Sequence, residues 1–506
     1  MTAAGRAYTA GMICSSPRVS LLAAVALVGC GDSTSATSVS ATEVTTVPVT
    51  GSSGDTVDPT TSPTAASTPT TSVGTTEGGA SEAMTGSTAV EPTTDPGTSS
   101  SGVGSSGTTE GVIGTSTGGS TSGGPDTTTT TTTTGDPDTG VDTDCGGFAI
   151  EFSFIWIANS PEGTVSKVDT ETLQEVGRYR TGPNLTDPSR TSVNLKGDVA
   201  VTNRDGSITK IGAIDDHCKD KNGVPGIQTS TGKNDVLPYG QDDCVLWNTT
   251  LVPASRPAAW TSGEKIDPND PCSGSTGEKV WTSGPQGADA WVYLLDGETG
   301  AILDQVLVPG ANGGLGIYGG AVDQNNDFWG VTYSAGPLVH VRYDDMTFET
   351  IPLPIGSAYG FTVDAKGRSW VGGWEGNLQR YDPETKTWTK AVIPPQYAVL
   401  SRGMNDADGD LWIAALFSPQ GIMRVNTDTA MFVEHIGADK LVGIQTPTGA
   451  SVDVQGKVWL VDQSKDGGGA FVYNPVNKQV DWVGGLNGPY TYSDMTGYAL
   501  KNVAPQ

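Results

Sequence analysis

The sequence predicts an all-β domain, a seven-bladed β-propeller, preceded by a disordered Thr/Ser/Gly-rich stalk. Three observations lead there. Composition changes abruptly near residue 145, a Trp and Asp repeat of blade length follows, and the C-terminus supplies a strand that the first repeat lacks.

The stalk is the simplest element. Residues 33–141 are almost wholly Thr, Ser, Gly, Pro, Asp and Glu, with scattered Val and Ala. Such a segment cannot bury enough apolar surface to offset its ordering entropy. It reads as a flexible spacer, and the all-Thr run 127–134 as part of that spacer. The expected organisation is a signal peptide over 1–29, a lipidated cysteine and linker over 30–144, and the propeller over 145–506.

The signal peptide rests on the first residues. Arg6 and Arg18 carry positive charge, and the apolar run 19–29 is too short to cross a bilayer as a helix. It ends in Leu27-Val28-Gly29-Cys30. This resembles the bacterial lipobox, which implies lipidation at Cys30 and a lipid anchor as the membrane partner. Met12 is an alternative start. Gly31 stands where an acidic residue would imply inner-membrane retention, so the expected location of this exported lipoprotein is the outer membrane or the cell surface.

Charge excludes some partners. The 506 residues hold 28 basic and 56 acidic side chains, a net charge of −28. That argues against nucleic acid and against direct adhesion to anionic lipid. A monomer is expected.

The repeat decides the fold. Each unit has an aromatic-centred strand, a polar turn and a second strand ending in Asp, Asn or Gly. Trp156 leads to Asp169, Ala200 to Gly212, Trp281 to Asp296, Trp329 to Asp344, Trp370 to Asp382, Trp412 to Asn426 and Trp459 to Asn474. Six residues before the marker stand Asn194, Asp323, Asp364, Asp406 and Asp453, with glycine turns such as 196–198, 366–368, 408–410 and 455–457 between. Fourth strands follow, for example at 348–353 and 387–393. Blade one lacks an innermost strand before Phe154. Residues 492–496 are the candidate, closing the ring and removing the open sheet edge.

The pattern resembles the streptogramin lyase-like and NHL-like propellers, whose units read roughly Gly-x-x-x-Asp-x-x-Gly-x-x-Trp. The resemblance covers about residues 154–500 and speaks for the fold. That architecture serves lyases, lactone hydrolases and binding modules alike.

By the same analogy, ligands bind at the top mouth of the central channel. The innermost strands start there with Ser189-Arg190, Ser255-Arg256, Tyr318-Gly319, Tyr359-Gly360, Ser401-Arg402, Thr448-Gly449 and, in the closing strand, Tyr492-Ser493. Arg190, Arg256, Arg402, Tyr318, Tyr359 and Tyr492 thus form one ring. Asn159, Asn203, Arg204, Trp374 and Asp462 join it from the second strands, and Asp494 from the closing strand. Converging guanidinium groups suit a carboxylate, phosphate or sulfate, and the aromatics suit a sugar or other ring. Each arginine taken singly also fits a structural role, paired with Asp494, Asp462 or channel carbonyls. The set as a whole is read as a pocket for a small anionic or sugar ligand.

The resemblance to lyases implies a channel His and a divalent metal. This chain has three His. His217 falls in an insertion, His340 in a third strand and His435 in a fourth, all away from the channel, and Thr448 stands where a His would serve. No catalytic residue and no cofactor are therefore assigned. A calcium- or magnesium-assisted lyase or lactone hydrolase is the alternative, with Asn159, Asn203, Asp462 and Asp494 as ligands, although neighbouring arginines oppose a cation. The expected function is a ligand- or protein-binding module displayed at the surface or in the periplasm.

Two insertions, 213–243 in blade two and 261–277 in blade three, are placed on the bottom face. They bring Cys218, Cys244 and Cys272 near Cys145. An exported domain with four cysteines reads as disulfide-bonded, not zinc-binding. Three connectivities are open. Cys218–Cys244 is preferred, leaving Cys145–Cys272, as the brace of a cap.

Overall fold

The computed structural model describes residues 153–267 and 274–504. All of them belong to one of the two compact units into which the chain divides; the other, Ser35–Thr133, lies outside the described residues. The signal peptide, Cys30, the stalk, Cys145 and Cys272 also lie outside them. Among the described residues, no helix is long and apolar enough to cross a membrane.

The ring consists of six four-stranded antiparallel sheets and one three-stranded sheet, each built from consecutive strands except in blade three, where a two-stranded ribbon, Glu264–Lys265 with Ser275–Thr276, intervenes after the first strand. Blade one is the three-stranded sheet: Phe154–Asn159, Thr164–Asp169 and Glu175–Arg180. Blades two to seven begin with the inner strands Pro188–Val193, Ala258–Trp260, Ile317–Val322, Ala358–Val363, Leu400–Ala407 and Pro447–Val452. Every marker from Trp156 to Trp459 is buried, and each lies in the second strand of its blade except Trp156, which stands in the first of blade one's three strands.

The repeated Asp now has a physical role. In blades four, five and seven one carboxylate oxygen accepts the hairpin N–H groups two and four residues on. The other accepts the marker indole N–H, as in Trp329–Asp323 (2.9 Å), Trp370–Asp364 (2.9 Å) and Trp459–Asp453 (2.7 Å). One side chain therefore satisfies the turn and locks the core aromatic. Blade six departs from this. Its Asp408-Gly409 turn has φ of 53° and 79°, a two-residue hairpin with both residues left-handed. Asp406 instead accepts the Ala365 N–H of blade five (2.9 Å), and its other oxygen is buried without a partner. Burial, with Asp364 and Asp408 nearby, raises its carboxyl to about 7. In blade two the marker is Ala200, which shares a core cluster with Trp260 of blade three.

The C-terminus closes the ring, in a register two residues earlier than expected. Pro489 bridges Asn159 as Pro188 bridges Asn203 and Pro447 bridges Asp462. The Tyr490 N–H then donates to Ala158 (3.1 Å) and the Trp156 N–H to Met495 (3.0 Å). So Tyr490-Thr491, and not Tyr492-Ser493, starts the inner strand. The shared Pro fixes the register, because it supplies no N–H and can stand only at the strand start.

A short helix, Tyr498–Val503, follows the closing strand and was not foreseen. Leu500 and Val503 enter the core cluster that holds Ala258, Val322 and Val363 from the lower ends of the inner strands. The Asn502 amide donates to Asp406 (2.8 Å), and the Tyr498 hydroxyl to Asp408 (3.3 Å) at the bottom hairpin of blade six. The helix therefore plugs the bottom of the channel.

Candidate functional site: the top of the channel

Three blades place Tyr at one structural position of the inner strand: Tyr318, Tyr359 and Tyr490. Their hydroxyls meet on the channel axis, with Tyr490 2.7 Å from Tyr318 and 2.8 Å from Tyr359, and 3.2 Å between Tyr318 and Tyr359. Tyr492, one turn of the zigzag further down, reaches Tyr359 (3.1 Å). Three other blades carry Ser there, which leaves room for the following arginine to turn inward.

Arg402 donates to Tyr492 (2.8 Å), Tyr359 (3.3 Å) and the Pro447 carbonyl (2.8 Å). Arg190 donates to the carbonyls of Tyr318 (3.3 Å) and Ser189 (2.9 Å), and its guanidinium lies 4.0 Å from the Tyr492 ring centre. Arg256 sits 5.1 Å from the Tyr318 ring. Cation–π contact partly replaces the hydration these cations lose. All seven side chains are buried, Tyr490 and Arg402 at 0% exposure. The sequence-predicted ring therefore does assemble, but as a closed floor whose polar groups face one another.

Electrostatics single out Tyr490. Burial holds the phenols of Tyr318, Tyr359 and Tyr492 well above their ordinary range. Burial opposes ionisation of Tyr490 too, yet Arg402, Arg190 and the hydroxyls of Tyr318 and Tyr359 together outweigh it and bring this phenol down to about 8. Sequence reasoning missed Tyr490 because it placed the closing strand two residues late. The Pro shared by 188, 447 and 489 was the available signal.

The remaining predicted residues scatter. The Asn159 amide donates to Thr164 (3.3 Å) and Ser166 (2.8 Å), and its oxygen accepts from Asn487 (2.9 Å). The Asn203 amide donates to Thr181 (3.1 Å) and Ser207 (3.0 Å). Asp462 accepts backbone N–H groups of Gln445, Thr446, Ser464 and Lys465. Arg204 pairs with Asp187 and lies 5.2 Å from the Tyr490 ring. Asp494 is not at the mouth. It accepts from Gly497 (2.9 Å) and Leu500 (2.8 Å) at the start of the bottom helix, and burial raises its carboxyl to about 6.

These positions do not fit a calcium or magnesium centre, since the carboxylates of Asp462 and Asp494 are taken by backbone N–H groups at separate places. Among the described residues, Asp323, Asp327 and His340 form another close group, but it is internally bonded and stands in blade four's hairpin region. A third, Asp215 with Cys218 and Cys244, contains the disulfide. The histidines contact Asp198 (His217), Asp327 and Glu349 (His340) and the Pro419 carbonyl (His435), none of which belongs to the tyrosine–arginine floor.

Above the floor the surface is aromatic. Leu315, Tyr333 and Trp374 pack on the tyrosine cluster while staying partly exposed. Trp374 stacks on Phe417 at 5.5 Å and 30°. Phe417 is 45% exposed and holds φ of 74°, a left-handed backbone that a bulky side chain rarely adopts.

No family model matches the chain, and no curated protein does. Solved structures do. A streptogramin B lyase matches at 17% identity over 63% of this chain and 90% of its own, with a TM-score of 0.42. A catalytically inactive virginiamycin B lyase from Staphylococcus aureus, with quinupristin, matches at 16% identity over 63% and 92%, TM-score 0.42. A protein of unknown function from Desulfotomaculum acetoxidans matches at 12% identity over 67% and 99%, TM-score 0.45. The streptogramin lyase-like propellers expected from sequence are thus among the structural neighbours.

Proposed function

We propose that the chain is an exported, lipid-anchored propeller that acts as a binding module, with the top face as its recognition surface. The observation that carries this reading is the exposed Trp374–Phe417 stack, held in a strained backbone over a rigid tyrosine–arginine floor. Strain of this kind persists where surrounding structure enforces it, and it concentrates at functional positions. The floor is preorganised, so a ligand ring laid against the rim orders few side chains on binding. The anchor reading rests on Leu27–Cys30 and the long polar segment behind it.

The test compares the full chain with a Trp374→Ala/Phe417→Ala variant. Both are screened by thermal shift against aromatic glycosides, planar aromatic acids and simple sugars, since a ligand that binds only the folded state raises its melting temperature. A shift seen in the parent and lost in the variant supports the top face. Metabolic labelling with an azido fatty acid, and its loss in Cys30→Ser, tests the anchor.

A further inference from the structure

Away from the channel, the blade-two insertion builds a second concave surface. It leaves the third strand Ser207–Ile211 at the bottom face, as the sequence implies, and is closed at its base by the Cys218–Cys244 disulfide. Two buried carboxylates organise its interior. Asp243 accepts backbone N–H groups of Lys221 (3.2 Å) and Gln228 (2.9 Å), and Asp242 those of Ser230 (3.0 Å) and Cys244 (3.0 Å). The insertion is therefore a folded arm. Its tip crosses the outer edge of blade one, where the Lys233 N–H donates to Glu175 (3.1 Å).

Between this tip and the outer strand of blade seven, Val480–Gly484, lies a cleft of about 510 Å³. That volume is ordinary for a small-molecule site. Gln174, Glu175, Lys233, Asn234, Asp235 and Trp482 line it. The Lys233 ammonium, the Asn234 amide and the Trp482 indole N–H have no hydrogen-bond partner among the described residues. Glu175 and Asp235 supply acceptors; Glu175 also bonds Arg178 (2.7 Å), and Asp235 accepts from Thr231 (2.8 Å).

The mixture of groups selects the ligand class. A simple anion would meet two carboxylates, and a metal cation would meet the lysine. A sugar hydroxyl donates and accepts at the same oxygen, so a lining of interspersed donors and acceptors suits a polyol. Trp482, packed on Phe471 (4.7 Å) and beneath the Lys465 ammonium (4.3 Å), adds the half-exposed part of its indole as an amphipathic wall for the apolar patch of a sugar. We infer that the arm and blade seven form a saccharide-binding cleft, independent of the top face.

Saturation-transfer NMR and titration calorimetry on the full chain test this, with maltotriose, tri-N-acetylchitotriose and trigalacturonate as probes. The expected result is transfer to at least one probe, weakened by about tenfold or more in a Lys233→Met/Asn234→Ala variant. Both residues are exposed at the arm tip, so the variant keeps the parent melting temperature. Trp482 packs on Phe471 (4.7 Å), so Trp482→Ala serves only as a second arm, read when its melting curve stays cooperative. No transfer to any probe overturns the inference. So does binding that is indifferent to the tip variant, or binding lost in Phe417→Ala, which would place the sugar at the channel mouth.

Discussion

The two ends of one channel are closed by opposite chemistry. At the top, four tyrosines and three arginines fill the axis with hydroxyls, guanidiniums and ring faces. At the bottom, a six-residue helix fills it with Ala499, Leu500 and Val503, and a small cavity of about 30 Å³ remains beside them. The same C-terminal segment passes through both, with Tyr490 in the upper plug and Asp494 capping the lower. The apolar plug gains its stability from burial, which is insensitive to sequence detail as long as volume is kept. The polar plug is stable only while every cation and hydroxyl keeps its partners. Conformational specificity is therefore concentrated at the top.

The comparison can be broken most severely at its shared segment. A chain ending at residue 488 loses the strand that pairs with blade one, Tyr490 and Tyr492 of the upper plug, and the whole lower plug. The expected outcome is loss of cooperative unfolding by calorimetry, with rapid proteolysis. A chain ending at 496 loses only the helix and should still melt cooperatively at a lower temperature. A similar response in both truncations would mean that ring closure contributes little.

Next comes Arg402→Met. It deserts two buried hydroxyls and a carbonyl, and should destabilise the fold by about 3 kcal/mol in urea titrations. Leu500→Ala, at the other plug, should cost about 2–4 kcal/mol through its cavity. The two should differ in pattern. Arg402→Met should also disturb the near-ultraviolet tyrosine dichroism, and Leu500→Ala should not.

The pH response sharpens the contrast further. Asp406 and Asp494 have carboxyls raised by burial, to about 7 and about 6. Their protonation favours the folded state, so stability should rise as pH falls from 8 to 5, by a few kcal/mol in total. Asp453 is raised by burial to about 6 as well, so Asp406→Asn should flatten about half of that slope and raise the melting temperature at pH 8. Tyr490 acts with the opposite sign. Its phenol is lowered to about 8, so its contribution is present above the unfolded value near 10 and is lost as pH falls through 8. Ultraviolet titration should show one phenolate forming near pH 8, absent in Tyr490→Phe. This phenolate would give Arg190 a buried counter-charge beside the carbonyls and ring faces it already contacts.

The smallest stability effect is expected at the rim. Phe417→Gly relieves a left-handed bulky residue but removes its stack on Trp374, so the net change should stay within about 1 kcal/mol. Ligand binding at the top face should nonetheless disappear. A large loss of stability would assign Phe417 to packing.

Sequence by itself determined the repeat, because the Asp-x-x-Gly-x-x-Trp unit is a local device. One carboxylate caps a hairpin and holds an indole six residues away, and both partners sit on the same few residues. It also determined the location of the insertions and the distance of the histidines from the channel. The register of the closing strand had one signal in the sequence, the Pro shared by 188, 447 and 489, but only the tertiary structure showed that Pro489 is the counterpart of the other two, because blade one pairs with a segment some 330 residues away and no local turn fixes their alignment. The same long-range pairing decided that Tyr490 joins Tyr318 and Tyr359, that Asp494 turns down to cap a helix, and that the arginines meet phenols, not a void. Convergence on a channel axis depends on which side chains from seven separate blades point inward at one height, and no stretch of sequence contains that information.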